Sequence, residues 1–194
     1  MTQIKLCGNF RLQDVAYLNQ VQPDFDGIIL APGHRRSVSR ELAQMMRAQL
    51  ASNIPLVGVF VNQSLAEILS YQGIIQYAQL HGQEDEALVA AIQAHGLPVI
   101  QVMTPKQQVS TQAAYRLVDA GAGSGQTFDW QQLTPSTTPT ILAGGLNATN
   151  LEQAIHQGQP AVVDISSGSE INGVKDLVQM QILVEKVRKQ VCHH

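Results

Sequence analysis

Cys7 and Asp129 are the two side chains whose types and settings suit proton transfer. Cys7 closes the short apolar run Ile4-Lys5-Leu6-Cys7-Gly8, which reads as a strand ending in a thiol. Asp129 follows Gly121-Ala122-Gly123-Ser124-Gly125-Gln126-Thr127-Phe128, a glycine-rich loop that delivers a carboxylate onto a helix start. A thiol serves as a general base when neighbouring cations draw its pKa towards neutrality, and Lys5 and Arg36 are the candidates for that role. Without such neighbours Cys7 is a small core hydrophobe, and Asp129 is a helix-terminal carboxylate worth about 0.3–1 kcal/mol. A glycine-rich approach makes a poor rigid cap and a good closing lid.

Three further polar groupings suit a ligand with two anionic ends. Gly144-Gly145 and Ser166-Ser167-Gly168 each follow an apolar run, and their backbone N–H groups and hydroxyls suit a phosphate. The same residues also suit plain tight turns. Arg36 offers a planar fork for a carboxylate, and a cation at a helix start is otherwise slightly unfavourable. Arg35 is the better surface candidate, although spacing does not separate the two. His81, after Gln79-Leu80, is either a hydrogen-bonded loop histidine or a ligand contact.

These residues need elements to position them. Short apolar runs at 3–7, 27–31, 56–61, 76–80, 98–102, 115–119, 139–143 and 161–165 predict eight buried parallel strands. Helical periodicity falls between them at 12–21, 39–51, 64–71, 85–95, 147–157 and 174–190, with a weak stretch at 106–113 and a short one after Phe128. Ser39, Ser64 and Asn147 supply start signals. Eight alternating units without a linker predict an α/β fold, a compact (β/α)8 TIM barrel over residues 1–194 as one domain, with an open doubly wound sheet as the alternative. The usual barrel has about 250 residues, so loops must be short and at least one helix abbreviated, with 106–113 the expected place. In a barrel the active site lies at the C-terminal face, where Cys7, Asn62, His81, Asp119 and both glycine and serine segments stand.

Composition narrows the partners. A formal charge of −3 argues against a broad nucleic-acid surface, and no apolar run approaches the roughly 20 residues of a membrane span. Met1-Thr2-Gln3 leads directly into a strand pattern, and the two cysteines, Cys7 and Cys192, stand far apart, which fits a reducing cytoplasm. His193-His194 carry no functional weight.

In order along nearly the whole chain, Lys5-Leu6-Cys7-Gly8, Arg36-Ser37-Val38-Ser39, Val57-Gly58-Val59-Phe60-Val61-Asn62, Gln79-Leu80-His81-Gly82, Gly123 to Trp130, Leu142-Ala143-Gly144-Gly145-Leu146-Asn147, Val163-Asp164-Ile165-Ser166-Ser167-Gly168 and Gly173-Val174-Lys175-Asp176 resemble the phosphoribosylanthranilate isomerase family of tryptophan biosynthesis. Asn9-Phe10, Gly33-His34-Arg35 and Gln126 depart from the family pattern. The resemblance implies an Amadori rearrangement with no cofactor and no metal, Asp129 acting as acid and Cys7 as base. It further implies that Arg36, with His81 nearby, holds a carboxylate, and that Gly144, Gly145, Ser166, Ser167 and Gly168 hold the phosphate. The implied partner is a small phosphorylated substrate, with no nucleic acid or membrane partner, and the implied assembly is a monomer or homodimer. Two rivals stand beside it. One is the related Amadori isomerase of histidine biosynthesis, a two-aspartate design that Cys7 counts against. The other is a non-catalytic ligand-binding barrel.

Overall fold

Alternation along the first strand sets the layers of the molecule. In β1 (Gln3–Cys7), Ile4 and Leu6 face the shell shared with the helices, so Lys5 and Cys7 face the interior. The computed structural model describes residues 1–106, 109–119 and 129–189. Within them β1 runs parallel to β2 (Phe25–Ile29), followed in order by β3 (Leu56–Phe60), β4 (Tyr77–Leu80), β5 (Val99–Met103), β6 (Tyr115–Asp119), β7 (Thr140–Ala143) and β8 (Val162–Ile165). β8 pairs back onto β1, which closes the eight-stranded parallel barrel.

Helices cover the outside: α1 (Leu12–Val21), α2 (Arg40–Gln49), α3 (Leu65–Leu69), α4 (Glu86–Ala94), α5 (Leu151–Gly158) and α6 (Leu177–Lys189). Ser39 and Ser64 cap α2 and α3 through their hydroxyls, as the start signals imply, and Glu67 completes a capping box at α3. Inside the barrel, Phe25, Val57, Ile100, Leu117, Ile141 and Val162 fill the end nearest the strand starts, and the rings of Tyr77 and Tyr115 meet Phe25 edge-on. Cys7, Ile29, Ala31 and Val59 form a smaller cluster at the strand ends. Among the described residues no helix is long and apolar enough to cross a membrane.

Beyond shifts of one or two residues at element ends, four departures from the sequence expectation have a physical cause. The second strand is 25–29 rather than 27–31, because Asp24 and Asp26 look like loop residues but Asp26 pairs with Leu6 inside the sheet. The weak helical stretch 106–113 forms no helix among its described residues, and no helix lies between β5 and β6 among the described residues. The cap of α5 is Asn150, three residues beyond the cap expected at Asn147, whose side chain instead accepts from Thr149 N–H and Oγ in a preceding turn. Finally, 174–176 is not helical. Asn172 and Gly173 adopt φ of 52° and 79°, making the two-residue turn of a hairpin between β9 (Glu170–Ile171) and β10 (Val174–Lys175), and α6 begins only at Leu177.

Asp26 is fully buried on the outer face of β2, where Asn9 Nδ2 donates to its Oδ1 at 2.7 Å. Its Oδ2 and Asn9 Oδ1 both lack a partner. Burial raises the carboxyl to about 7, although Asn9, Lys5, Lys175 and Arg47 all pull the other way. A proton on Asp26 supplies the donor that the pair of orphaned oxygens lacks. Between the unfolded value near 3.8 and the native value near 7 the folded chain binds the extra proton, so stability falls as pH rises through that window, by up to about 4 kcal/mol. Denaturant unfolding from pH 4 to pH 8 is therefore expected to show a falling midpoint, and Asp26→Asn is expected to flatten the slope. A slope unchanged in that variant would contradict the assignment.

Candidate active site

The thiol expected as a base sits at the seam that closes the barrel. Lys5 and Asp164 are register partners on β1 and β8, and Lys5 Nζ donates to Asp164 Oδ2 at 2.9 Å with the lysine fully buried. Cys7 lies one inward position further up β1, opposite Gly27. A Cβ on Gly27 would fall 2.7 Å from Cys7 Sγ and 3.0 Å from Lys5 Nζ, so the missing side chain leaves room for the thiol and ammonium to stand together. Burial pushes the Cys7 thiol up, and Asp164 adds to the rise, against the opposing pull of Lys5 and Lys175. In this structure the sulfur therefore keeps its proton. The lowering anticipated from nearby cations is present but outweighed, since Lys5 is shared with Asp164.

Immediately above Cys7, Gly8 adopts φ +77°, and a Cβ there would fall 2.5 Å from Arg36 Nη1 and 2.8 Å from its Cζ. Arg36 thus lies across the end of β1. Its Nη1 donates to Ser166 Oγ at 2.7 Å and pairs with Glu170 Oε1, and its side chain is 11% exposed. Arg35 is 57% exposed and reaches Gly173 O and Glu170 Oε2. Exposure separates the two arginines that spacing left equivalent, with Arg36 the one turned into the barrel mouth. The potential there is positive: His34, whose Nδ1 accepts from Arg36 N–H, has its pKa lowered by burial and by Arg36, Arg35 and His81.

Gly144, Gly145, Ser166, Ser167 and Gly168 come together on the loops after β7 and β8. Gly144 and Gly145 have φ of 94° and 65°, a backbone open to glycine, and Gly145 O accepts from Asn147 and Asn150 side chains. A Cβ on Gly168 would fall 2.1 Å from Leu146 O, so the two loops touch only because residue 168 lacks one. Ser167 is exposed, and Ser166 Oγ meets Arg36.

His81 follows β4 with its Nδ1 3.3 Å from Gln79 Nε2. His81 Nε2 lies 3.7 Å from Asp119 Oδ2 at the end of β6. Asp129 is exposed and caps the short 3-10 turn Trp130–Gln132 by accepting from Gln131 N–H at 3.1 Å. The glycine-rich lid expected before it, residues 120–128, lies outside the described residues, as does Cys192.

Sequence reading passed over Glu170 and the buried role of Lys175. Lys175 Nζ donates to Cys7 O at 2.7 Å, Ser166 O at 2.8 Å and Ser169 Oγ at 2.9 Å, and lies 3.2 Å from Glu170 Oε1. The available signal was Asn172-Gly173 between Ile171 and Val174, a hairpin turn that places Glu170 opposite Lys175.

Known proteins of one kind resemble the chain over nearly its whole length. The family model described as N-(5'phosphoribosyl)anthranilate (PRA) isomerase matches residues 4–186. The N-(5'-phosphoribosyl)anthranilate isomerase of Lactiplantibacillus plantarum is 44% identical, covering 97% of this chain and 93% of its own. The phosphoribosyl anthranilate isomerase structure from Thermus thermophilus superposes with a TM-score of 0.87 at 29% identity, covering 97% of this chain and 100% of that one. A further such isomerase, solved in complex with reduced 1-(o-carboxyphenylamino)-1-deoxyribulose 5-phosphate, superposes with a TM-score of 0.81 at 28% identity and the same coverage.

The charge arrangement at Cys7 fixes the direction of two substitutions. In a Cys192→Ser background, Asp164→Asn removes a carboxylate that raises the thiol and frees Lys5, so iodoacetamide alkylation of Cys7 is expected to shift to lower pH. Lys5→Met is expected to shift it to higher pH. The same profile in all three proteins would remove Lys5 and Asp164 from the account of the thiol.

Proposed function

Because the chain belongs to the N-(5'-phosphoribosyl)anthranilate isomerase family, we propose that it works through Cys7 and Asp129 as a base and acid pair, with the two ends of the substrate held by Arg36 and by the loops after β7 and β8. The reaction is the Amadori rearrangement of N-(5-phosphoribosyl)anthranilate to 1-(2-carboxyphenylamino)-1-deoxyribulose 5-phosphate, an aldose–ketose isomerisation of L-tryptophan biosynthesis. The observation that carries the residue assignment is the meeting of Arg36 with Ser166 directly over Gly8, the residue after Cys7. Arg36 and the loops after β7 and β8 border the end of β1, so a ligand held by both lies next to Cys7.

Asp129, in its acid form, protonates the furanose ring oxygen, the C1–O bond breaks, and a Schiff base forms between C1 and the anthranilate nitrogen. Cys7, as thiolate, takes the proton from C2, and the resulting enolamine tautomerises to the ketone with protonation at C1. The thiol must ionise before it acts. Lys5 favours that ionisation, and the cationic Schiff base adjacent to C2 adds a second positive charge at the step that needs it. His81, oriented by Gln79, contributes a polar contact on the facing side of the mouth. The partner this reading requires is the small phosphorylated substrate, and residues 1–194 act as one domain, in the cytoplasm, as a monomer or homodimer.

The test is anthranilate fluorescence on addition of freshly generated phosphoribosylanthranilate. Rapid decay is expected for the parent, with loss of at least about 10²-fold in both Cys7→Ser and Asp129→Asn at matched circular dichroism. No decay with the parent, despite saturable binding, would favour a binding barrel. Gly168→Ala, which drives a methyl into the Leu146 carbonyl, is expected to raise KM by about tenfold or more, equivalent to roughly 1.4 kcal/mol. An unchanged KM would move the phosphate away from these loops.

A further inference from the structure

Glu170 is a buried carboxylate that the reaction itself does not use. Its side chain is 5% exposed, yet it meets three cations: Arg36 Nη1 at Oε1, Lys175 Nζ at 3.2 Å from Oε1, and Arg35 Nη2 at 3.0 Å from Oε2. The Asn172-Gly173 turn sets the register that makes it the cross-strand partner of Lys175. Lys175 is in turn pinned by three oxygens, Cys7 O, Ser166 O and Ser169 Oγ. Glu170 is therefore fixed relative to the ends of β1 and β8, and Arg36 is fixed relative to Glu170.

We propose that Glu170 is a positioning residue for the carboxylate end of the substrate: together with Ser166 Oγ it ties down Nη1 of Arg36 and so holds the guanidinium at a preset place above Cys7 for the incoming carboxylate. This rests on the reading that Arg36 holds that carboxylate. Charge supports it. Three cations around one carboxylate leave a net positive mouth, so Glu170 orients Arg36 without cancelling the attraction for an anion. An arginine with four rotatable side-chain bonds loses considerable freedom on binding a ligand, and an arginine already held has less to lose. A purely structural ion pair would need neither Arg36 nor a place over the base.

The experiment compares two inhibitors, reduced 1-(o-carboxyphenylamino)-1-deoxyribulose 5-phosphate and its analogue lacking the ring carboxyl, against the parent, Arg36→Met, Glu170→Gln and Glu170→Asp. Glu170→Gln is expected to weaken the carboxylate-bearing inhibitor by about 10- to 100-fold, the range for a lost charge-assisted hydrogen bond, while the analogue binds within about twofold of the parent. KM rises with kcat nearly unchanged, and adding Glu170→Gln to Arg36→Met has little further effect. Glu170→Asp keeps the charge facing Lys175 while shortening the reach to Arg36, so it serves if Glu170→Gln fails to fold, and it should show the same selectivity to a smaller degree. Equal weakening of both inhibitors, or full additivity with Arg36→Met, would overturn the proposal. If Arg36→Met itself fails to discriminate between the inhibitors, the reading of Arg36 fails; if Arg36→Met discriminates and the Glu170 variants do not, only the role of Glu170 fails.

Discussion

Closure of the barrel between β1 and β8 is the constraint on which the rest of the site depends. That seam pairs Lys5 with Asp164 inside the barrel, and an ion pair buried there is tolerable only while both partners are present. Once the register is set, Cys7 is the next inward residue on one strand, and Ser166 is the first residue beyond the other. The β9–β10 hairpin then returns Lys175 to the same place, where its ammonium bonds both Cys7 O and Ser166 O. Cys7, the loop after β8 and Arg36, the residues proposed as base, phosphate contact and carboxylate contact, are thus tied to one seam.

The electrostatics of the seam explain a resting thiol. Burial and Asp164 hold the proton on Cys7, while Lys5 keeps an opposing cation in contact with it. A permanently ionised thiolate would attract oxidants and metals whether or not substrate were present. On the proposed mechanism, ionisation that waits for the substrate's own positive charge confines the reactive form to the occupied site. The cation-rich mouth formed by Arg35, Arg36 and Lys175 suits a ligand that is anionic at both ends.

Much of this was legible in the chain. The eight apolar runs gave the barrel, because strands buried on both faces leave an unmistakable trace, and the polar residues just after each run marked the mouth. Asp26 misled, because a carboxyl inside a strand is visible only once its partner Asn9 is known, and that partner sits 17 positions away. Lys5 and Asp164 were each visible as charges inside apolar runs, but only the barrel register shows that they face each other. The helical periodicity of 174–190 hid the hairpin, since Val174 fits either pattern and Asn172-Gly173 decides between them. The same turn sets Glu170 opposite Lys175, but its contact with Arg36, 134 positions away, has no local signal.

In the proposed mechanism, holding the two ends of the ligand delivers C2 of the sugar to Cys7. It is tested most directly by a crystal structure of this protein with reduced 1-(o-carboxyphenylamino)-1-deoxyribulose 5-phosphate bound. The ring carboxylate is expected on Arg36, the phosphate between the loops after β7 and β8, and Cys7 Sγ within about 3.5 Å of C2, the separation of a near-attack geometry. A bound ligand whose C2 lies beyond about 6 Å from Cys7, with another side chain within that near-attack distance, would contradict it.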